Sequence, residues 1–229
     1  MPRSYASHDL NRDNLYWGVD RFRFALTRWL YRRLVREEPS HYQGHVPDSP
    51  YFWGDLAAQH IDYARSFTFA TFDLTRLAHP VVYRRADTPW VKRWFITCDA
   101  DNVEEFNNLL CSANQERLER DGGLCIVSTH LGKGFVKDGE VHPETRRLLT
   151  ELSKRAGWFA PVCEILDFHC AHAGCPQIGN AALLRMELHW FLDSFTRRLR
   201  HRKYEPTELP YLARAIAEAR ESLNAGPSL

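Results

Sequence analysis

The sequence has no long hydrophobic run and little glycine or proline. No stretch of 18 apolar residues occurs, which predicts that no helix spans a membrane. The N-terminal stretch MPRSYASHDLNRDN contains no apolar segment of the kind found in secretory signals, so we expect a cytoplasmic protein. With only 12 Gly and 12 Pro, and with aromatic residues at 13%, collagen-like and disordered chains are excluded.

A charge excess of one sign is also missing. The 30 Lys and Arg residues nearly balance the 29 Asp and Glu residues, and the formal net charge is +1. Nucleic-acid-binding domains generally carry a basic excess, so we expect no nucleic-acid partner. The six cysteines are expected to be reduced, because a disulfide framework is typical of secreted chains.

Segments with strand composition alternate with segments of helical periodicity. Between residues 102 and 162 the order is helix, strand, loop, helix, strand, which is typical of parallel βαβ packing and predicts an α/β fold. β-Branched and aromatic content, or a short apolar run, predicts strands over residues 63–72, 90–98, 124–129 and 158–162.

Helical spacing and end signals predict five helices. They cover residues 19–36, residues 102–120 between the cap pair Asn102 and Glu105 and the stop at Gly122–Gly123, residues 143–157 from Pro143, a helix from Asn180, and a helix after Pro210. The residues expected to face the interior are Phe22, Leu26, Trp29, Leu30, Leu148, Leu149, Leu152, Ala156, Leu184, Leu188, Phe191 and Phe195.

Three arginines gather on one side of the first predicted helix. Arg21, Arg28 and Arg32 would form a cradle for an anionic ligand if they faced a cavity. The alternative is a solvated helix face, which is the more common situation for clustered exposed charge.

His130 is the first candidate catalytic residue. It follows the predicted strand 124–129 and begins a glycine-containing loop that runs to His142. Ligands of parallel α/β folds bind beyond the carboxyl ends of the strands, and an imidazole at that place transfers protons near neutral pH. The alternative is that His130 only forms hydrogen bonds within its own loop.

A second candidate site is a group of cysteines and histidines. Cys170, His172 and Cys175, with one further ligand, suit a tetrahedral zinc site. Their spacing matches no CxxC knuckle, and the alternative assigns Cys163 to the core and the other residues to a surface loop.

Three stretches of the chain carry a resemblance to a known family. They are RDGGLCIVSTHLGKGFVKDGEVHPETRRLLTELSKRAGWFAPVCEIL, LLRMELHWFLDSFTRR and SPYFWGDLAAQHIDYARSFT. Together they resemble the middle and C-terminal parts of the polysaccharide deacetylase-like family. The resemblance implies an incomplete, distorted (β/α) barrel with C-terminal helices. It further implies one domain over residues 1–229, with a helical N-terminal part (1–50), a βα core (51–175) and C-terminal helices (176–229).

The resemblance implies hydrolytic removal of acetyl groups from a cell-surface glycan or its precursor. In this chemistry a divalent metal, with zinc expected, polarises the acyl carbonyl and activates water. A carboxylate takes the proton of the water, and a histidine protonates the leaving group. His130 is implied to be that catalytic histidine and His8 a metal ligand. The residues implied to bind the acetylated sugar are Tyr51, Trp53, Arg65 and Thr129.

One family feature is missing, the Asp-Asp pair that supplies the base and a metal ligand. We therefore expect a domain that starts one or two βα units late, either inside a longer protein or as a shortened, inactive relative. An inactive relative would be a silent module without a cofactor that binds glycan or a partner chain. A partner chain or a second copy would then cover the open barrel edge. The remaining alternative is an unrelated α/β protein with a zinc clip at residues 170–175.

Overall fold

The computed structural model of the chain describes residues 2–8, 11–35 and 41–200, apart from the side chains of Val35 and of residues 197–200. Residues 1–194 form one compact unit. Residues 195–229 form a second unit, of which only the continuation of the last helix is described. The helix predicted after Pro210 lies outside the described residues.

Seven α-helices and seven β-strands occur in the described ranges. The helices are α1 (Ala25–Val35), α2 (Gly54–His60), α3 (Val103–Leu109), α4 (Ser112–Asp121), α5 (Pro143–Leu152), α6 (Val162–Ala173) and α7 (Asn180–Arg200). The strands are β1 (Ser4–Tyr5), β2 (Tyr63–Phe69), β3 (Val82–Tyr83), β4 (Trp94–Asp99), β5 (Val127–Ser128), β6 (Val136–Lys137) and β7 (Glu140–Val141). Short 3₁₀ turns cover Gly18–Arg21 and Leu74–Arg76. Within the same ranges, no helix combines the length and apolar character needed to cross a bilayer.

The main sheet is parallel in the order β1, β2, β4, β5. The last pair aligns Cys98 with Val127 and Asp99 with Ser128. The short strand β3 pairs antiparallel with the amino end of β4, where Tyr83 lies opposite Trp94. The parallel sheet curls into a half-barrel, which confirms the predicted α/β class.

Three of the four predicted strands were confirmed at least in part, and the fourth was wrong. Strand β2 begins at the predicted residue and ends at Phe69, and β4 occupies the second half of the predicted 90–98 segment. The run 124–129 contributes only the two residues of β5. The 158–162 segment is not a strand, because Pro161 caps the start of α6 and leaves Trp158 and Phe159 56% and 61% exposed.

The first predicted helix is interrupted. A 3₁₀ turn precedes α1, and the buried carboxylate of Glu187 accepts a hydrogen bond from the Arg23 backbone N–H at 2.8 Å and another from the Thr27 hydroxyl. These contacts satisfy donors at the start of α1, so the helix begins there rather than at residue 19. The predicted buried stripe was therefore confirmed only in part, since Phe22 is buried but Leu26 and Trp29 are 55% and 60% exposed.

The predicted helix ends were largely confirmed. Asn102 caps α3 by accepting from the Glu104 and Glu105 backbone N–H groups, both at 3.0 Å. Gly122 ends α4 with a left-handed φ of 64°. The segment between them is two helices rather than one, divided at residues 110–111. Pro143 opens α5 as predicted.

The inward faces of α5 and α7 differ in part from the predicted ones. On α5, Leu148 is buried as predicted, but Leu149 is exposed and the helix ends at Leu152. On α7, Leu183 and Met186 are fully buried, so the interior face lies one to two positions away from the predicted one. Because side chains of a helix rotate by about 100° per residue, a small error in phase moves the whole face.

Aromatic side chains hold α1 and α7 against the sheet. The ring centroid of Phe22 lies 5.1 to 5.7 Å from those of Tyr31, Phe67, Trp190 and Phe191. Fully burying a side chain of this size contributes roughly 2–3 kcal/mol. This packing fixes the middle of β2, from which Arg65 extends towards the carboxyl ends of the strands.

Candidate functional site

Polar side chains collect at the carboxyl ends of the parallel strands. His8 follows β1, Asp101 follows β4 and His130 follows β5. Because the strands pair in parallel, these positions are adjacent in space although distant in sequence. With Arg65, Ser128 and Lys133 they form what we call the strand-end cluster.

The centre of the cluster is a contact between His130 and Asp101. Nε2 of His130 lies 3.3 Å from Oδ1 of Asp101, and each side chain is 46% exposed. Lys133 contacts both carboxylate oxygens of Asp101 at 2.8 and 2.7 Å. The Glu105 carboxylate accepts from the Asp101 backbone N–H at 2.9 Å. The imidazole thereby lies against a carboxylate while it remains accessible from solvent.

The loops after β4 and β5 are tied together by backbone hydrogen bonds. The Ala100 N–H donates to the Ser128 carbonyl at 3.0 Å, and the Val103 N–H donates to the Lys133 carbonyl at 3.1 Å. Lys133 also donates its backbone N–H to the His130 carbonyl at 2.9 Å, which turns the chain after His130. These bonds place Lys133 and His130 on the same carboxylate.

His8 reaches the cluster from the other side of the half-barrel. Its ring meets the His130 ring edge to face, with centroids 5.7 Å apart. The backbone of His8 is held by the buried Asn14, whose Oδ1 accepts from the His8 N–H at 3.3 Å and from the Tyr5 hydroxyl at 2.8 Å. The two histidines named from the sequence are thus brought together.

Arg65 links the two ends of the cluster through the interior of the half-barrel. One guanidinium nitrogen donates to the Ser7 carbonyl at 2.8 Å, and another donates to the Ser128 hydroxyl. Its Cζ lies 5.6 Å from the Trp17 ring centroid, and Arg21 stacks on the same indole at 3.8 Å. Arg65 and Trp17 therefore form one wall beside the histidines.

Among the other predicted sugar-binding residues, Trp53 and Tyr51 lie outside the cluster, whereas Thr129 stands between its members Ser128 and His130. Trp53 donates from Nε1 to the Asp13 carbonyl at 2.6 Å and packs edge to face on Tyr5 at 5.2 Å, so it supports the cluster from behind. Tyr51 lies against Arg12, whose Cζ is 5.6 Å from the centroid of the Tyr51 ring. The Thr129 hydroxyl is buried and has no hydrogen-bond partner among the residues that the structure describes.

Sequence reasoning missed Asp101, Ser128 and Lys133. Asp101 stands two residues after the end of β4, just as His130 stands two residues after the end of β5. The rule that selected His130 therefore also selects Asp101 once β4 is known to end at Asp99. Tryptophans in general can stack on sugar rings, but nothing local singled out Trp17, because its position depends on contacts with Arg21 and Arg65.

The described residues do not fit the metal site that the resemblance implies. Among residues 2–8, 11–35 and 41–200, no three His, Cys, Asp or Glu side chains are grouped so that they could hold one ion. The Asp101 carboxylate instead contacts Lys133 and His130. Asp9, which follows His8 in the sequence, lies outside the described residues. We assign no metal-dependent step to the cluster, and the role of His8 as a ligand stays a prediction.

The surface loop predicted for the cysteine and histidine group was wrong for Cys170 and His172, because Val162–Ala173 form α6, whereas Cys175 follows the helix in a non-helical segment. Cys170 faces the sheet, with its Sγ 3.8 Å from the Tyr63 hydroxyl. His172 is exposed, and its Nδ1 lies 2.8 Å from the Phe168 carbonyl of the same helix. The two side chains therefore point in different directions.

The fold and the cluster define an α/β half-barrel with a His–Asp–Lys group at the carboxyl ends of its parallel strands. Comparisons with protein-family models, with curated proteins and with solved structures found no match to this chain. The assignment of a function therefore depends on the chemistry of the cluster.

Proposed function

We propose that the strand-end cluster hydrolyses acetyl groups of an acetylated sugar in a cell-surface glycan or its precursor. The observation that carries the proposal is the contact between His130 and Asp101 at the carboxyl ends of the strands. A half-exposed imidazole oriented by a carboxylate is the arrangement that general acid–base catalysis requires.

His130 would act first as a general base and then as a general acid during the reaction. It takes a proton from a water molecule while the water oxygen attacks the acetyl carbonyl carbon. It then returns a proton to the sugar nitrogen or oxygen as the bond between that atom and the carbonyl carbon breaks. The products are acetate and the free amine or hydroxyl of the sugar.

Cations beside His130 would stabilise the negative charge that develops on the carbonyl oxygen. Lys133 lies within hydrogen-bond distance of Asp101, and Arg65 reaches Ser128 at the end of β5. Preorganised donors of this kind commonly lower the barrier of acyl transfer by about 3–4 kcal/mol each.

A sugar ring is supported as the substrate by the resemblance of residues 120–200 and by the wall beside the histidines. The partly exposed indole of Trp17 offers an apolar face for the C–H groups of a sugar, and Arg65 offers donors for its hydroxyls. We further propose a cytoplasmic location, because all six cysteines are free thiols.

A catalytically silent glycan-binding module is the second candidate. It is favoured by the position of Lys133, which contacts both oxygens of Asp101 and neutralises the only carboxylate in contact with His130 among the described residues. Such a module would retain the polar wall for binding without turnover.

The two candidates separate in one assay on the purified protein. Acetate release is measured from N-acetylated chito-oligosaccharides and from an O-acetylated xylan, and binding of the same sugars is measured by calorimetry. The deacetylase predicts acetate release that falls about 100-fold or more in His130→Ala and is unchanged in the exposed-histidine control His172→Ala. Binding without acetate release would favour the silent module, and release that is insensitive to His130→Ala would overturn the catalytic role.

A further inference from the structure

A polar cavity lies at the opposite end of β4 from Asp101. It has a volume of about 250 Å³ and opens beside the residues that precede β4. Thr88, in its wall, accepts a hydrogen bond from Nε1 of Trp94, the first residue of that strand, at 2.8 Å. The strand-end cluster follows the last residue of β4, so the two sites are separated by the length of the strand.

Tyr16, which lines the cavity, is held in an unusual backbone conformation. Tyr16 has a φ of +46°, which bulky residues rarely adopt, and it donates its backbone N–H to Nδ1 of His45 at 3.2 Å. The ring of Tyr16 lies over the His45 ring with centroids 4.2 Å apart. Strain of this kind persists at binding sites where surrounding contacts enforce it.

Two donors in the wall lack a hydrogen-bond acceptor at normal distance. Because Nδ1 of His45 accepts a hydrogen bond, Nε2 carries the proton of the neutral ring, and its acidic neighbour Asp20 is 3.8 Å away. Nε of Arg28 is buried and has no partner within the described part of the chain, although another nitrogen of its guanidinium pairs with Asp20. Both donors belong to residues that line the cavity.

The lining residues carry one excess positive charge. Three guanidinium groups face the cavity against two carboxylates, those of Asp20 and Asp87. Arg85 uses all three of its nitrogens, because it binds Asp87 through two of them at 3.1 and 2.7 Å and the Arg21 carbonyl through the third at 2.6 Å. Burial lowers the pKa of His45, so its ring adds no charge near neutral pH.

We propose that this cavity binds a small monocarboxylate with an apolar body. The carboxylate would accept hydrogen bonds from Nε of Arg28 and Nε2 of His45 and would balance the single excess charge. The apolar body would pack against Tyr16 and the buried ring of Phe22, which also line the cavity. Charge-assisted hydrogen bonds to buried donors are strong, whereas a dianion would leave one negative charge without a counterpart.

The test uses benzoate as the probe and inorganic phosphate as the dianionic comparison, with binding measured by calorimetry. Benzoate is expected to bind the wild-type protein with one site and to bind more tightly than phosphate. Arg28→Gln is expected to weaken benzoate binding at least about tenfold, since it removes the charge and the Nε donor. Arg120→Gln, which alters an exposed arginine paired with Asp121, is the matched control and should leave the affinity unchanged.

Two further variants make the result independent of any folding defect in Arg28→Gln. Arg23→Gln removes the excess charge from a residue with a partly exposed side chain and should weaken binding several-fold. His130→Ala, in the strand-end cluster, should leave benzoate binding unchanged. The proposal is overturned if benzoate shows no saturable binding, if phosphate binds more tightly, or if neither arginine variant changes the affinity.

Discussion

Nε2 of His130 lies 3.3 Å from Oδ1 of Asp101, although the two residues follow different strands, β5 and β4. The pairing of Asp99 with Ser128 sets this distance, because Asp101 and His130 each stand two residues beyond that last paired position. A carboxylate in this place orients the imidazole and stabilises its protonated form during proton transfer.

Replacing Asp101 by asparagine tests this relationship within the proposed reaction. Asp101→Asn keeps the size of the side chain and removes the charge, so we expect kcat for acetate release to fall about 10- to 100-fold while KM changes less than about threefold. The control is Asp121→Asn, which removes a carboxylate of a surface ion pair. Equal losses in both variants, or a change confined to KM, would contradict an orienting role.

The buried carboxylate of Glu187 is expected to stabilise the start of α1. Glu187→Ala removes the acceptor of the Arg23 N–H and the Thr27 hydroxyl, and should lower the free energy of unfolding by about 2–4 kcal/mol. Glu187→Gln retains one acceptor oxygen and should cost less. The free energies come from urea unfolding, with Glu116→Ala at an exposed position as the control. A loss equal to that of the control would contradict the capping role.

The histidine pair His79 and His189 makes stability depend on pH. Nε2 of His79 lies 2.8 Å from Nδ1 of His189, and burial, the charge of His189 and that of Arg185 lower the pKa of His79 from 6.5 to about 4. Between these two values the unfolded chain binds a proton that the folded chain does not. The free energy of unfolding should therefore fall as the pH drops from 6.5 to 4, by about 1–2 kcal/mol for this partly buried pair.

Urea unfolding at several pH values checks this dependence. His79→Gln should lose part of the decrease in stability below pH 6.5, because the group with the lowered pKa is gone. His172→Gln, at an exposed histidine, should keep the full decrease. Identical pH profiles for the wild type and His79→Gln would show that the pair does not contribute.

Two glycines offer a matched test of the loop that supports the strand-end cluster. A Cβ on Gly44 would lie 1.9 Å from the backbone oxygen of Asp13, whereas a Cβ on Gly132 would meet no atom within 4 Å. Gly44→Ala should lower the free energy of unfolding by roughly 2–4 kcal/mol, because backbone atoms must shift. Gly132→Ala should change it by less than about 0.5 kcal/mol. Similar urea midpoints for the two variants would contradict this close approach.

Local signals predicted the central elements of the fold. Strands β2 and β4 and the helix starts at Asn102, Pro143 and Asn180 follow from composition and capping chemistry, which act over a few residues. His130 at the end of β5 followed from the same reasoning. The tertiary contacts had no such signal.

The errors arose where distant residues decide the structure. The start of α1 depends on Glu187, which is more than 150 positions away in the sequence, and residues 158–162 have strand composition but no strand neighbour. The strand-end cluster could be predicted only in part, because Asp101, Lys133 and Trp17 join it through the pairing of β4 with β5 and through stacking on arginines.

Imidazole rescue of a histidine variant tests the proposed reaction most directly. Acetate release from an acetylated sugar is measured for the wild type and for His130→Ala, with and without added imidazole. The proposal predicts that His130→Ala loses about 100-fold in kcat or more and that imidazole restores part of that loss, while His172→Ala is unaffected by both. A wild-type rate in His130→Ala, or the absence of acetate release from every acetylated sugar tested, would contradict it.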